Sequence, residues 1–410
     1  MKTFKHSKLF LKQIKGLAFF LVFIFFSGIC FSEPIKISLF SSNIVTAVYI
    51  SPHKGNYNLI CDGKKHSIIK TGQYIKCTLL NGKIIVNQKN KKLGAFQSVQ
   101  FIALDTINDF LISPRLPIRL ADRIYEDQLL ISISDKKLLC INEVELEKYV
   151  AGVIESESGK SQKLEYYKVQ AIISRTYALS NFGKRLQLGY NLNDLVGDQV
   201  YLGKSRYNPD IVKAAELTKN LVLVDENINL ITTAFHSNSG GYTVASSDVW
   251  GKSLSYTVAK LDTFSLKGNR AYWTKIISKK EWLLYLERKY AFNIKDKEKI
   301  KLATNYLQPK RQTYFIDPAY IIPLKEVRLD WELKSTFFDI IDKKDSLLFS
   351  GKGFGHGIGL SQQGAMRMVE LGYDYQSILQ FYYTGVHLIN LTNINFFREG
   401  EKENILNDGK

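Results

Sequence analysis

The chain has 410 residues, 45% hydrophobic and 12% aromatic, too long for one average domain and too rich in packing material for a disordered tail or linker. Its 8 Pro and 27 Gly exclude a collagen-like composition, and 56 Lys and Arg against 39 Asp and Glu give a net charge of +17. That balance points to an anionic partner without naming one.

Lys2, Lys5, Lys8, Lys12 and Lys15 have no acid among them and precede the apolar run from Leu17 to Phe26, after which come Ser27, Gly28, Cys30 and Ser32. Basic, apolar and small-residue zones in that order form a secretory signal, so residues 1–32 are expected to direct export to the cell envelope, with processing after Ser32. A spanning helix needs roughly 20 apolar residues, and this run is shorter. Membrane contact is expected only through this segment, an uncleaved anchor being the alternative. Without its five lysines the charge falls from +17 to +12. The remaining cysteines, Cys61, Cys77 and Cys140, form no C-x-x-C pair and indicate neither a zinc knuckle nor a disulfide framework, although Cys61 and Cys77 share one strand-rich stretch and could bridge. Six His residues show no metal-ligand spacing.

From Ile35 to about Leu139 short alternating runs (Ile35–Phe40, Val45–Ile50, Lys83–Asn87, Gln128–Ser134) are divided by turn pairs such as Asp62-Gly63 and Asn81-Gly82. Period-two patterning at this spacing predicts a β-rich module over 33–122. Near Glu143 the period changes. Val144–Val150 reads as a short helix and Leu164–Phe182 as a longer one, with Val169, Ile172, Ile173, Thr176 and Leu179 on its apolar side. A further helix near Lys279–Tyr290 lies in a Lys- and Glu-rich connection. Strand Ser346–Ser350, a glycine-rich loop and helix Ser361–Leu371 follow, with a polar tail over 391–410. The class is α+β, a β-rich N-terminal module followed by a mixed α/β domain over 123–390 with a helical insertion.

Three stretches carry the chemistry. In the first, Leu146–Glu157 followed by Leu164–Leu179, Arg175 sits inside an apolar helical segment, where a guanidinium is costly unless it meets a carboxylate or an anionic ligand. Glu157 and Glu165 are the nearest candidates, and an ion pair closing the helix onto the preceding loop is the plainer reading. The second stretch, Ala234–Thr243, brings His236 and Ser237 together, yet it has no G-x-S-x-G elbow and no orienting acid, so a serine hydrolase is rejected. Gly240 and Gly241 would let the backbone turn beside a ligand or another strand. The third, Gly351–Gly364, has glycine at every second position from 351 to 359. It does not fit G-x-G-x-x-G, which argues against a dinucleotide loop. Alternate bare positions instead allow something flat to approach the backbone, with His356 as either a polar contact to a substrate or a histidine bonded to a neighbouring strand.

Together these stretches resemble the three signature blocks of the SpoIID/LytB family, that is, stage II sporulation protein D and the amidase-enhancer proteins, which are exported and act on peptidoglycan. The matching positions are Leu146–Tyr149, Gly152–Glu157, Lys168–Ala171 and Ser174–Tyr177 in the first block, Ser239–Gly241 with Trp250-Gly251 in the second, and Gly351–Ala365 in the third, with Ile378–Gly385 fitting as a tail. The resemblance runs from about Arg123 to Val386. It implies a lytic transglycosylase cutting glycan strands stripped of stem peptides, in wall remodelling such as engulfment or septation, with Glu157 as the carboxylate and Arg175 near it. By the same resemblance Gln170, Glu165, His236, Ser239, Gly240, His356 and Gln362 are expected to contact glycan. Some members carry a zinc-site cysteine where this chain reads Asp198-Gln-Val-Tyr201, so no metal and no cofactor are expected. A hydrolytic glycosidase needs two carboxylates, whereas a transglycosylase can use one, because the muramic 6-hydroxyl is the nucleophile. Glu157 must then be protonated near neutral pH, which burial favours and a close Arg175 would oppose. The guanidinium is therefore expected on the substrate, or on Glu165 or Asp198. The competing reading is a glycan-binding module that stimulates a partner N-acetylmuramoyl-L-alanine amidase without cutting. Nucleic acid is not an expected partner.

Overall fold

Alternate residues are buried along the first third of the chain. In Tyr57–Cys61, for instance, Tyr57, Leu59 and Cys61 are buried while Asn58 and Ile60 are only partly so, as in a strand with one face on a core. The strands are β1 (Ile35–Leu39), β2 (Ala47–Lys54), β3 (Tyr57–Cys61), β4 (Lys64–Ile69), β5 (Ile75–Leu80) and β6 (Lys83–Gln88). After them come β7 (Lys91–Phe96), β8 (Val99–Ala103), β9 (Asp109–Leu116), β10 (Arg123–Glu126), β11 (Gln128–Ser134) and β12 (Lys137–Val144). The computed structural model describes residues 34–392, apart from 90 and 118. The signal segment and most of the expected 391–410 tail lie outside the described residues.

The β3–β4 and β5–β6 hairpins turn at the two expected pairs. Asp62 and Gly63 have φ of 47° and 76°, and Asn81 and Gly82 have 47° and 70°, as a type I′ turn requires to match the twist of its strands. A seven-stranded sheet runs β13-β1-β12-β11-β8-β3-β4, where β13 is Leu192–Asn193, and a six-stranded sheet runs β10-β9-β2-β5-β6-β7. Ile37, Leu59, Phe101 and Ile131 of the first share a core with Val48, Cys77, Val86 and Ile112 of the second, making a sandwich. The 122/123 junction falls between β9 and β10, which pair with each other, and β1 pairs with β12, Ile35 opposite Val144. The sheets thus run across that junction. Cys61, Cys77 and Cys140 are free thiols inside this core, so the Cys61–Cys77 bridge is not formed. Burial, with Asp62 adding to it, pushes the Cys61 thiol up to about 11, and burial pushes Cys140 to about 12, which keeps both unreactive.

Helices α1 (Leu146–Ser158), α2 (Leu164–Ser180) and α3 (Pro209–Leu217) extend the same core through Tyr149, Val150, Ile172, Ile173 and Ile211. Next come β14 (Leu221–Val224), β15 (Phe235–His236), α4 (Ser246–Trp250), β16 (Tyr272–Ser278), α5 (Lys279–Tyr290), α6 (Lys297–Thr304) and α7 (Leu324–Asp330). The described chain then runs through β17 (Phe338–Lys343), β18 (Ser346–Lys352), β19 (Leu360–Ser361), α8 (Gln362–Glu370), α9 (Tyr375–Tyr382) and β20 (His387–Asn390). The Lys- and Glu-rich connection has its own core around Trp282, Phe315 and Phe349 and its own sheet, β16-β18-β17. Its helix α5 is capped by Ser278, whose side chain accepts the Glu281 N–H, the serine half of a capping box. No helix among the described residues is long and apolar enough to cross a membrane.

Candidate functional site

Helix α1 runs past the expected Val150 to Ser158, and Gly152 inside it sets what the last turn can hold. A Cβ at Gly152 would stand 2.4 Å from the Gly203 carbonyl oxygen and 2.5 Å from the Tyr201 ring. The missing side chain lets segment 199–203 lie directly on the helix, which compensates for the helical cost of glycine. Tyr201 is fixed there by its hydroxyl, 3.0 Å from Asn142 Oδ1, and by the Tyr149 ring, 5.0 Å away between centroids. This register delivers the Val200 N–H to Glu157 Oε1 at 2.8 Å and the Leu202 N–H to Ser156 Oγ at 3.1 Å.

Glu157 is half-buried, and among the described residues no cation pairs with it. Burial pushes its carboxyl above the usual carboxylate range, the Val200 N–H opposing without reversing the shift. The other acids nearby are engaged. Glu155 Oε2 accepts from Ser205 Oγ and from the Arg206 and Tyr207 N–H groups at 2.9–3.1 Å. Glu165 meets Lys168 Nζ at 2.5 Å and accepts the Tyr375 N–H. Burial works to raise Asp198, but the Asn193 N–H, Lys184 and Arg185 outweigh it and hold its carboxyl low. Among the described residues no three His, Cys, Asp or Glu side chains gather as an ion-binding group.

Arg175 does not reach the site. Its side chain is fully buried and grips Glu147 on α1 through Nε, at 2.8 Å from Oε1, and through Nη2 to Oε2. Nη1 donates to the Leu221 carbonyl at 3.0 Å and Nη2 to that of Ala215 at 3.1 Å. Every nitrogen of the fork is used inside the protein, binding α1, α2, α3 and β14 together, so the expected contact with substrate, Glu165 or Asp198 is replaced by a structural clamp. Gln170 is also interior. It is fully buried, donates to the Tyr166 hydroxyl at 3.0 Å, and its Oε1 finds no partner among the described residues. Glu165, held by Lys168 and Tyr375, closes α2 onto the start of α9.

The third block reaches Glu157 through Gln362, whose Nε2 lies 3.4 Å from the Glu157 carbonyl oxygen. Gln362 opens α8, and the Ser361 Oγ that caps this helix also accepts the Ser239 N–H at 3.2 Å. In the second block Ser239 is fully buried, its Oγ 2.7 Å from both Asp262 Oδ2 and Ser265 Oγ. It is held in the interior by these two partners. Gly240 is likewise a packing position. A Cβ there would come 2.6 Å from the Lys352 carbonyl carbon.

The alternate glycines are explained by the chain itself. Gly353, Gly355, Gly357 and Gly359 all have positive φ, between 67° and 112°, which other residues adopt only with strain. Side chains at Gly353, Gly355 and Gly359 would strike Asn238 O at 2.7 Å, His236 Cβ at 2.8 Å and Ala234 O at 2.2 Å. The flat object against this run is the second block, residues 234–240. It brings His236 and His356 together, ring centroids 5.5 Å apart, with Trp250 5.9 Å from His356. His236 is 4% exposed with Nδ1 3.0 Å from the Ile358 carbonyl, and His356 Nδ1 accepts the Ile358 N–H at 3.0 Å.

Sequence reasoning missed Arg311, which lies against Gly357 and donates to the Ser239 carbonyl, and Arg328, whose charge acts on Arg311 and on both histidines. Both sit in stretches rich in charged and polar residues that read as solvated surface, and nothing local marks their guanidinium nitrogens Arg311 Nε, Arg311 Nη1 and Arg328 Nε as buried.

Residues 134–224 match a family model described as SpoIID, Stage II sporulation protein. Over 290 residues the chain is 32% identical to the amidase enhancer of Bacillus subtilis (strain 168), covering 58% of this chain and 40% of that protein. It is 26% identical over 263 residues to Stage II sporulation protein D of Bacillus amyloliquefaciens, covering 60% of this chain and 75% of the relative. An uncharacterized protein of Brachyspira hyodysenteriae is 28% identical over 262 residues, covering 63% of this chain and 70% of the relative. The chain thus spans less than half the length of the amidase enhancer.

Proposed function

We propose, from the premise that the chain belongs to the SpoIID/LytB family, that it remodels the cell wall as a lytic transglycosylase acting on peptidoglycan strands in the envelope. The observation that carries this reading is the state of Glu157, one carboxyl raised by burial, held by a single backbone N–H and free of cations among the described residues. Such a group keeps its proton to higher pH, as a general acid requires. In the proposed step Glu157 gives that proton to the glycosidic oxygen and the bond to the anomeric carbon breaks. The muramic 6-hydroxyl attacks the same carbon, and its proton returns to the Glu157 carboxylate, leaving a 1,6-anhydro end. No second carboxylate is needed. Glu155, Glu165 and Asp198 are engaged elsewhere, which fits a one-carboxylate reaction better than hydrolysis.

The second reading, stimulation of an N-acetylmuramoyl-L-alanine amidase, is favoured by the name of the 32% identical relative. Mass spectrometry of stripped strands incubated with the protein alone, and of peptide-bearing peptidoglycan incubated with an amidase with and without the protein, separates the two. Anhydro ends formed by the protein alone support cleavage. Faster peptide release by the amidase, with no anhydro ends, supports stimulation and removes the catalytic assignment.

A further inference from the structure

Arg311 lies over the glycine run, where a Cβ on Gly357 would come within 2.1 Å of its Nη1. Its Nη2 donates to the Ser239 carbonyl at 2.7 Å, which anchors the guanidinium. Its Nε and Nη1 are buried and, like Arg328 Nε and His236 Nε2, have no partner among the described residues. Because His236 Nδ1 faces the Ile358 carbonyl at 3.0 Å, the neutral ring carries its proton there and leaves Nε2 as a bare lone pair. Trp250, 41% exposed and 5.9 Å from His356, marks the side nearest solvent.

No counter-charge appears among the described residues. Burial and then Arg328 pull Arg311 down to about 9, burial lowers Arg328, and no carboxylate acts on either. Burial, followed by Arg328, holds His356 at about 4, and burial followed by His356 and Arg311 holds His236 low. At neutral pH the cluster is two cations and two neutral imidazoles. Buried N–H groups without acceptors are destabilising, more so when charged, and a metal ion would be repelled by the guanidiniums. A neutral hydroxyl would satisfy an N–H but leave the charge uncompensated.

We infer that the unpartnered N–H groups of Arg311 and Arg328, beside the neutral rings of His236 and His356, form a site for a small oxyanion, and that its occupant is a carboxylate carried on the glycan. The carrier rests on the reading above. On strands stripped of peptide each muramic residue exposes its lactyl carboxylate, whereas an amide-linked stem removes that charge. The site would therefore select stripped over peptide-bearing residues at the position it contacts.

The test is isothermal titration of the full mature protein with N-acetylmuramic acid, its lactyl amide, N-acetylglucosamine and inorganic phosphate. The acid should bind at least about tenfold more tightly than the amide or N-acetylglucosamine, as one charge-assisted hydrogen bond supplies. Arg328→Gln should bring that ratio close to one without lowering the melting temperature, and Arg311→Gln should do the same if it folds. Equal affinity for acid and amide, phosphate binding without muramic acid binding, or a preference kept in Arg328→Gln would overturn the proposal. The readout is binding, so loss of anhydro products with the preference intact would remove the Glu157 reading and leave this one standing.

Discussion

Arg175 is a clamp, and its removal should destabilise the fold rather than slow turnover. Arg175→Ala deletes both contacts to Glu147 and the donors to Leu221 and Ala215, leaving the 4% exposed Glu147 as an uncompensated carboxylate. Breaking a buried pair in this way costs about 3–5 kcal/mol, against a total stability of about 5–15 kcal/mol for a folded domain. Arg175→Lys keeps the charge but cannot reproduce the fork and should fall between wild type and alanine. Replacing both partners, Arg175→Met with Glu147→Leu, removes the stranded charge and should recover most of the loss. Equilibrium urea unfolding followed by circular dichroism gives the four values. If Arg175→Ala stays within about 0.5 kcal/mol of wild type, the range of an ordinary surface change, and only turnover falls, the clamp is wrong and the residue belongs to the substrate.

Gly353→Ala and Gly359→Ala should each fail to fold or melt far below wild type, because φ is 78° and 67° there and the new Cβ would meet Asn238 O at 2.7 Å and Ala234 O at 2.2 Å; normal melting curves for both would refute the close packing of blocks two and three. Glu157→Gln should raise the melting temperature at neutral pH. The raised folded-state pKa makes wild-type stability full below the unfolded value of about 4.3 and lost as pH rises through the folded value, each tenfold in the dissociation constant being worth about 1.4 kcal/mol. Melts from pH 4 to pH 8 should show the gap between variant and wild type opening with pH, and a gap that stays flat or narrows contradicts the burial argument.

Local patterns were readable where local physics decides. The Asp62-Gly63 and Asn81-Gly82 turns and helix Lys279–Tyr290 follow from turn chemistry and periodicity, and they stand where the sequence places them. Pairings between distant residues were not readable. Sequence proximity offers Glu157 and Glu165 to Arg175, but the packing of α1 on α2 presents Glu147, 28 positions away. Alternate glycines suggest bare strand surface, yet positive φ at 353, 355, 357 and 359 makes the run a non-strand path fitted to residues 234–240. Arg311 and Arg328 become notable only because, among the described residues, no acid comes to them in three dimensions.

The central claim, that Glu157 supplies the proton, is tested most directly by assaying Glu157→Gln beside wild type on stripped glycan, with anhydro-end formation and glycan pull-down measured on the same samples. The amide keeps the shape and can still meet the Val200 N–H, but it cannot release a proton. The account predicts loss of anhydro ends to background, an effect of at least about 100-fold, with strand binding retained. Anhydro ends formed at the wild-type rate by Glu157→Gln would contradict it.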